Sequence, residues 1–253
     1  MIMLGAVVII GGGCYGAFYT AQLERARSDG AVDYERLLVV DRDAACQVAR
    51  QAPAAAREVV VTEWEAFLDL WLDPAVRRVT ERPDMIVPSP LMPHLMANWI
   101  MRRARDRWPE RDVRTVPAVA PLGAPFDMLH ADGTRYVSFA DWLCPTHCIE
   151  PGLCPATRAP RTWEMGEAVE AWTRARAAER PTAGPALFTC RHVAHGVGMY
   201  PAGRAFEGWD ALVAQVEATG AADLVVGSVS ACHGAIGLIR VAEQGVASAV
   251  GPR

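Results

Sequence analysis

A glycine-rich turn near the start of the chain constrains the fold more than any other feature of the sequence. The apolar run Ala6–Ile10 predicts a buried strand, and it leads directly into Gly11-Gly12-Gly13-Cys14-Tyr15-Gly16, which fits the pattern G-x-G-x-x-G. The stretch from Cys14 to Arg27 then has the apolar spacing of a helix. A buried strand that turns through glycines into a helix predicts an α/β fold built on a doubly wound, mostly parallel sheet.

The residues of this turn suit a phosphate group. Gly11 permits the tight turn, Gly13 lets a pyrophosphate approach the backbone, and Gly16 lets the helix pack closely against the strand. The free N–H groups at the start of the helix, around Cys14 and Tyr15, attract negative charge. The sequence therefore predicts a phosphate-binding loop over 11–16.

An acidic residue ends the next predicted strand. Leu37–Val40 is apolar, and Asp41 follows it, where a carboxylate can accept hydrogen bonds from a ribose diol. Its neighbour Arg42 could accommodate a 2′-phosphate, so NADP stays open beside NAD, which Asp41 favours.

The glycine turn and the sequence Val39-Val40-Asp41-Arg42-Asp43 resemble NAD(P)-binding Rossmann-fold domains, particularly those of the TrkA-like type. The resemblance covers roughly residues 4 to 90 and implies a Rossmann-like sheet with NAD or NADP bound across the glycine loop and Asp41. Asp41 lies further from the turn than is usual in the family. FAD, whose domains generally have Glu at this place, and S-adenosylmethionine are the alternative cofactors.

The alternation of strands and helices continues beyond this unit. Val59–Val61 and Met85–Val87 predict two more strands, and Pro88 and Ser89 follow the second, where the ligand crevice of such a sheet lies. We therefore expect Pro88 and Ser89 near the cofactor. The predicted domains are a dinucleotide-binding domain over 1–120 and a Cys-rich loop with a C-terminal α/β portion over 121–253.

The middle of the chain has an unusual concentration of cysteines. Cys144, Cys148 and Cys154 are spaced C-x3-C-x5-C in a segment broken by proline and glycine, which predicts thiolate ligands on a loop. An iron–sulfur cluster, zinc and redox-active thiols are all open, and the cluster is favoured although the spacing fits no standard pattern. Cys190 is the predicted fourth ligand, with Cys232 the close alternative.

Three histidines of the last third are the candidate acids and bases. His192 and His195 follow Cys190 in a glycine-rich stretch, and His233 follows Cys232. The glycines around Met199–Pro201 predict a loop that approaches a ligand. The remaining apolar patterns predict a helix over 163–179, a strand over 186–193, a helix over 206–219 and a strand over 223–229.

The composition excludes several functions. All 25 basic residues are arginine, so neither a Schiff-base lysine nor a P-loop lysine exists. The net charge of −4 gives no reason to expect nucleic acid, and no apolar run is long enough for a membrane span. We expect a cytoplasmic protein that acts on a small-molecule substrate and has no membrane partner. A homo-oligomer stays open.

These patterns predict an NAD(P)-binding oxidoreductase-like protein with a cysteine-ligated metal centre, iron–sulfur or zinc, that acts on a small molecule. Because a nicotinamide transfers a hydride and a cluster single electrons, the metal is expected to bind substrate or shape the fold. Two alternatives stay open: a non-catalytic NAD(H)-sensing or metallocofactor accessory protein, and a flavin-dependent redox protein.

Overall fold

Strands and helices alternate through the first part of the chain, as the apolar runs predict. The computed structural model describes residues 1–73, 81–90, 92–140 and 148–243. The first elements are β1 (Ile2–Ile10), α1 (Cys14–Ser28), β2 (Val32–Asp41), β3 (Arg57–Val61), α2 (Trp64–Trp71), β4 (Met85–Val87) and α3 (Leu95–Arg107).

The second part begins with three short strands and continues as a mixture of strands and two helices. Its elements are β5 (Arg111–Val116), β6 (Phe126–Leu129), β7 (Arg135–Ser138), α4 (Met165–Ala177), β8 (Thr182–Thr189), β9 (Arg191–Ala194), β10 (Val197–Pro201), α5 (Gly203–Thr219), β11 (Ala222–Val229) and β12 (His233–Glu243).

The first sheet has the strand order β3-β2-β1-β4-β10-β9. Its first four strands run parallel, and the hairpin β9–β10 adds two antiparallel strands beside β4. Val8 and Ile10 face one side of β1, and Val7 and Ile9 face the other, and all four are buried. A parallel strand that is covered on both faces needs such a continuous apolar run, which explains why β1 was readable from the sequence.

The second sheet has the order β6-β7-β12-β11-β8, and β5 pairs with β12 off this path. Its strands are antiparallel except for the parallel pair β8–β11. The fold is therefore mixed α/β, as predicted, with two sheets. The first sheet draws its hairpin from residues 191–201, whereas β5, at residues 111–116, belongs to the second.

The helices form layers around the two sheets. One hydrophobic core holds side chains of α2, α3 and α5 together with the inner faces of both sheets. Helix α1 covers the outer face of the first sheet, and α4 covers the outer face of the second. Helices α2, α3 and α5 therefore lie between the two sheets and pack against both. This shared core joins the sheets into one packed unit.

Some predicted boundaries were wrong. The predicted strand over 186–193 is two strands, because β8 ends at Thr189 and β9 begins at Arg191, with Cys190 between them. The predicted loop around Met199 is mostly strand β10, and the turn of its hairpin lies at His195 and Gly196, which both have positive φ. Among the described residues, no helix combines the length and hydropathy that crossing a membrane requires.

Candidate functional site

The glycine loop connects β1 to α1 in a conformation that two of its glycines make possible. Gly11 has φ +92°, a value that side chains rarely adopt, and a Cβ atom on Gly16 would collide with the carbonyl oxygen of Gly11. Gly13 caps the helix with an ordinary φ of −74°, and no heavy atom lies within 4 Å of where its Cβ would be. The side of the loop at Gly13 is therefore open. Cys14 and Tyr15 are exposed at the start of α1.

Asp41 holds the loop in place. Its Oδ2 accepts the N–H of Gly12 at 2.6 Å, and its Oδ1 accepts the N–H of Asp43 at 2.9 Å. The segment after β2 then crosses the loop, because Cys46 packs against Gly12 and the N–H of Val48 donates to the Gly12 carbonyl. Each carboxylate oxygen keeps a further acceptor position. Arg42 is exposed beside it.

A cavity of about 400 Å³ lies next to this region, at the carboxyl end of β4. Helix α1, the loop after β4, the cysteine segment and the ends of β8 and β11 all contribute to its wall. Four cysteines face it. Its lining is Phe18, Tyr19, Pro88, Pro90, Cys148, Glu150, Pro151, Cys154, Pro155, Arg161, Cys190, His192, Gly196, Gly198, Ser230, Cys232 and His233.

Parallel pairing brings two of these cysteines to the same edge. Thr189 pairs with Val229 at the ends of β8 and β11, and the N–H of Cys190 donates to the Val229 carbonyl at 2.8 Å. Cys190 and the turn that carries Cys232 therefore follow neighbouring parallel strands. This is the place at which a doubly wound sheet forms its ligand crevice.

Cys154 lies in a turn that directs hydrogen-bond donors at its sulfur. Hydrogen bonding from the Thr157 side chain and from the backbone of Thr157 and Ala156 lowers the pKa of the Cys154 thiol, and burial opposes this shift. The turn is closed by the N–H of Arg158, which donates to the Cys154 carbonyl at 2.8 Å, and Arg158 has φ +56°. Such an arrangement stabilises a thiolate, the form that binds metals and attacks electrophiles.

Cys232 and Cys154 belong to one small buried cluster with Ala140 and Ala231, and Trp163 packs against this cluster. The indole N–H of Trp163 donates to Cys232 Sγ at 3.2 Å. Burial raises the pKa of Cys232 to about 11, and this indole hydrogen bond opposes the rise. Glu150 adds to the rise, since its carboxylate accepts the N–H of Cys232 at 3.2 Å.

Cys190 lines the same cavity and is partly buried. Burial, together with the negative charge of Glu150, raises the pKa of its thiol to about 12. Cys190 and His192 both approach Gly198. His192 Nδ1 lies 2.9 Å from the Gly196 carbonyl, which can only accept, so Nδ1 carries the proton and Nε2 is the basic nitrogen.

The structure separates the three predicted histidines. His192 and His233 line the cavity. His195 instead sits in the β9–β10 turn, where its Nε2 lies 3.4 Å from Asp29 Oδ2. His195 contributes to a neighbouring depression along α1, which is lined by Cys14, Tyr15, Phe18, Tyr19, Gln22, Ile149 and Gly196 as well.

The predicted metal ligands meet only in part. Cys148, Cys154 and Cys190 share the cavity, and Cys232, the alternative ligand, joins them. Cys144 lies outside the described residues. Among the residues that are described, no group of three His, Cys, Asp or Glu side chains is arranged around one metal position. Cysteine thiolates are suitable ligands for zinc and for iron. Either metal would need several of these side chains to come together at one position.

Pro88 and Ser89, which follow β4, lie beside this cavity, and their predicted place near a cofactor stays a prediction. Pro88 lines the cysteine cavity, and both residues line an adjoining apolar cavity of about 360 Å³. Sequence reasoning missed Glu150, Trp163 and Phe18 as parts of the site. Only Glu150 carried a usable signal, since it stands between two cysteines of the loop.

One family model matches the chain. The AF_1314_C model, described as "Uncharacterized protein, C-terminal domain", matches residues 96–242, from the start of α3 almost to the end of β12. No curated protein and no solved structure matches the chain. The matched region contains every cysteine of the cavity and both of its histidines, whereas the glycine loop precedes it. Because the match spans more than half of its length, the chain belongs to the AF_1314_C family.

Proposed function

We propose that this protein is an NAD(P)-binding oxidoreductase-like protein whose reaction site is the cysteine cavity. One observation carries the proposal: α1, which begins at the glycine loop, also supplies Phe18 and Tyr19 to the cavity wall, where β4 ends. A dinucleotide with its phosphates at the start of α1 would extend along the carboxyl ends of β1 and β4. Its reactive end would then lie beside the thiols.

The glycine loop fits such a ligand. The parallel strands β3-β2-β1 have the order of a mononucleotide-binding half, with β4 next to β1 as in the dinucleotide-binding sheet, and the open side of Gly13 leaves room for a phosphate. The unused acceptor positions of Asp41 suit a ribose diol, which favours NAD. Exposed Arg42 would be the contact for NADP.

The cavity provides groups for proton transfer and for holding a metal. His192 presents Nε2 as a base, because the Gly196 carbonyl fixes its other nitrogen. Cys148, Cys154 and Cys190, or Cys232 in place of Cys190, are the thiols we propose for zinc or an iron–sulfur cluster, and they would have to approach one another to share one metal position. A bound metal would supply a positive charge that organises the substrate and the thiolates.

Replacement of Gly13 by valine tests the dinucleotide directly. The side chain would occupy the space proposed for the phosphates without meeting another atom of the protein at its Cβ. Gly237→Val, in β12, is the matched control because its Cβ is equally free of neighbours. In calorimetric titrations with NADH and NADPH, Gly13→Val should lose binding and Gly237→Val should keep it. Equal affinity in both variants would refute the proposal.

Anaerobic purification with metal analysis and a visible spectrum tests the centre. A brown protein with iron and sulfide would support a cluster, and a colourless protein with stoichiometric zinc would support a zinc site. Oxidation of NADH in the presence of candidate acceptors would then separate an enzyme from a sensor. A yellow, fluorescent protein would instead identify a flavin.

A further inference from the structure

The apolar cavity of about 360 Å³ shares part of its wall with the cysteine cavity. The residues that line both spaces mark the place where they meet, and they are Pro88, Pro90, Cys190, Ser230 and His233. A molecule held in the apolar cavity would therefore have one end at this junction, facing the cysteine cavity.

The wall of the apolar cavity suits an aromatic ring. Phe188 and Tyr200 lie edge to face in it, with ring centroids 5.4 Å apart, and Met96 lines the same space. Aromatic and thioether side chains make favourable contacts with the faces and edges of a further ring. An apolar cavity of about 150 Å³ is enough to hold benzene. The volume here therefore accommodates one substituted ring.

The same wall excludes charge. Among the lining residues that the structure describes, none is Asp, Glu, Lys or Arg. A charged group that entered this space would lose its hydration without gaining an ionic partner, which is costly. The cysteine cavity differs, because Glu150 and Arg161 line it. The part of a ligand that occupies the apolar cavity should therefore be uncharged.

Ser230 provides a directed polar group at the junction. It lies in the turn between β11 and β12, and its Oγ accepts the N–H groups of His233 and Cys232, each at 3.2 Å, the second of which is shared with Glu150. A hydroxyl oxygen has two acceptor positions and one proton to donate. Both acceptor positions are used, so a ligand can meet this hydroxyl only as the acceptor of its proton. Ser228, also in the wall, instead donates to the Pro93 carbonyl.

We propose that the apolar cavity binds the ring of a small uncharged aromatic alcohol, or of the corresponding carbonyl compound, whose oxygen accepts the Ser230 hydroxyl proton. Both compounds have an acceptor oxygen, and they form the two sides of one redox reaction. The alcohol loses a hydride from its carbinol carbon to NAD(P)⁺ and its hydroxyl proton to His192 Nε2, and a C=O bond forms. This role as a substrate rests on the proposed function, whereas binding in the cavity does not.

Three probes that share one ring and a two-carbon chain test the binding site: acetophenone, ethylbenzene and 1-phenylethylamine. They are titrated calorimetrically into the protein without NADH. The ketone and the hydrocarbon should bind, and the amine, a cation at neutral pH, should not. Equal affinity for the amine and the ketone, or no binding of acetophenone, would overturn the proposal.

Ser230→Ala tests the polar contact. The variant should bind acetophenone about fivefold more weakly, the value of one hydrogen bond of about 1 kcal/mol, and should bind ethylbenzene as the parent does. A purely structural role would instead weaken both ligands alike, and that result would refute the role of Ser230. Ser138→Ala is the matched control, because Ser138 Oγ also makes local backbone hydrogen bonds, with Ala140, but lines neither cavity.

Ala235→Leu tests the location, because Ala235 lines the apolar cavity and a larger side chain would fill it. It should weaken acetophenone and ethylbenzene at least tenfold, whereas Gly237→Val, in the same strand, should keep both affinities. Parental binding by Ala235→Leu would place the ligand elsewhere. Gly13→Val separates the two proposals: it should lose NADH and still bind acetophenone. Failure of NADH binding alone removes the redox role and leaves the aromatic site standing.

Discussion

At the scale of single residues, the buried carboxylate of Asp223 stabilises the fold and lies away from the cavity. Asp223 is 1% exposed at the start of β11, and its carboxylate bonds to the guanidinium groups of Arg240 and Arg176. Burial alone would raise its pKa, but these hydrogen bonds outweigh burial and leave the pKa below its ordinary value of 3.8. The carboxylate ties the end of α4 to β11 and β12.

We expect Asp223→Asn to lower the free energy of unfolding by about 1–3 kcal/mol at neutral pH, because two partly buried arginines lose their counter-charge. Chemical denaturation measures the difference. The folded-state pKa is the lower one, so the contribution is full above the unfolded pKa and is lost as the pH falls through the folded value. The gap between wild type and Asp223→Asn should therefore narrow below about pH 4. A gap that is independent of pH would contradict this account.

At the scale of elements, the apolar runs decided what the sequence could predict. β4 was predicted to the residue, and α1 to within one residue at its end, because Val/Ile runs and a glycine turn mark them clearly. β5, β6, β7 and β12 were missed. Arginines interrupt β5 and β7, and two glycines interrupt β12, whose pairing with three other strands compensates for its weak local preference.

The sequence predicted which cysteines line the cavity, but it did not predict the side chains that surround them. The spacing of Cys148 and Cys154 in the sequence indicates a shared role. Cys190 and Cys232 were selected because they follow apolar strands. That Trp163 would donate to Cys232 depends on the packing of α4 against the second sheet, which leaves no local signal.

The junction of β1 and α1 gives a prediction at this scale. Gly16→Ala places a methyl group against the Gly11 carbonyl, so the helix must move away from the strand. We expect a loss of about 1–3 kcal/mol, typical of overpacking. Gly13→Ala, three residues earlier with open space around it, should change stability by less than about 0.5 kcal/mol. Denaturant midpoints of the two variants check this, and equal midpoints would show that the helix and strand are not in close contact.

At the scale of the whole molecule, α3 and α5 connect the two sheets. Trp99 of α3 is fully buried and contacts Phe206 of α5 edge to face, with ring centroids 6.0 Å apart. The same core includes Val8 of the first sheet and Leu224 of the second. Since one cluster spans both sheets, a change in this core should affect both of them. The glycine loop and the cysteine cavity are held relative to each other by this shared layer.

Trp99→Ala should therefore weaken both sheets together. Removing a buried indole costs about 3–5 kcal/mol, and we expect the loss to appear as reduced hydrogen-exchange protection in β1 and in β11 alike. Leu23→Ala is the control, because Leu23 is equally buried but belongs to α1 and packs on the outer face of the first sheet. Its effect should be larger in β1 and β2 than in β11 if the sheets open locally. Protection lost only in β11 after Trp99→Ala would mean that the shared helices stabilise the second sheet alone, and the two halves of the proposed site would then be free to separate.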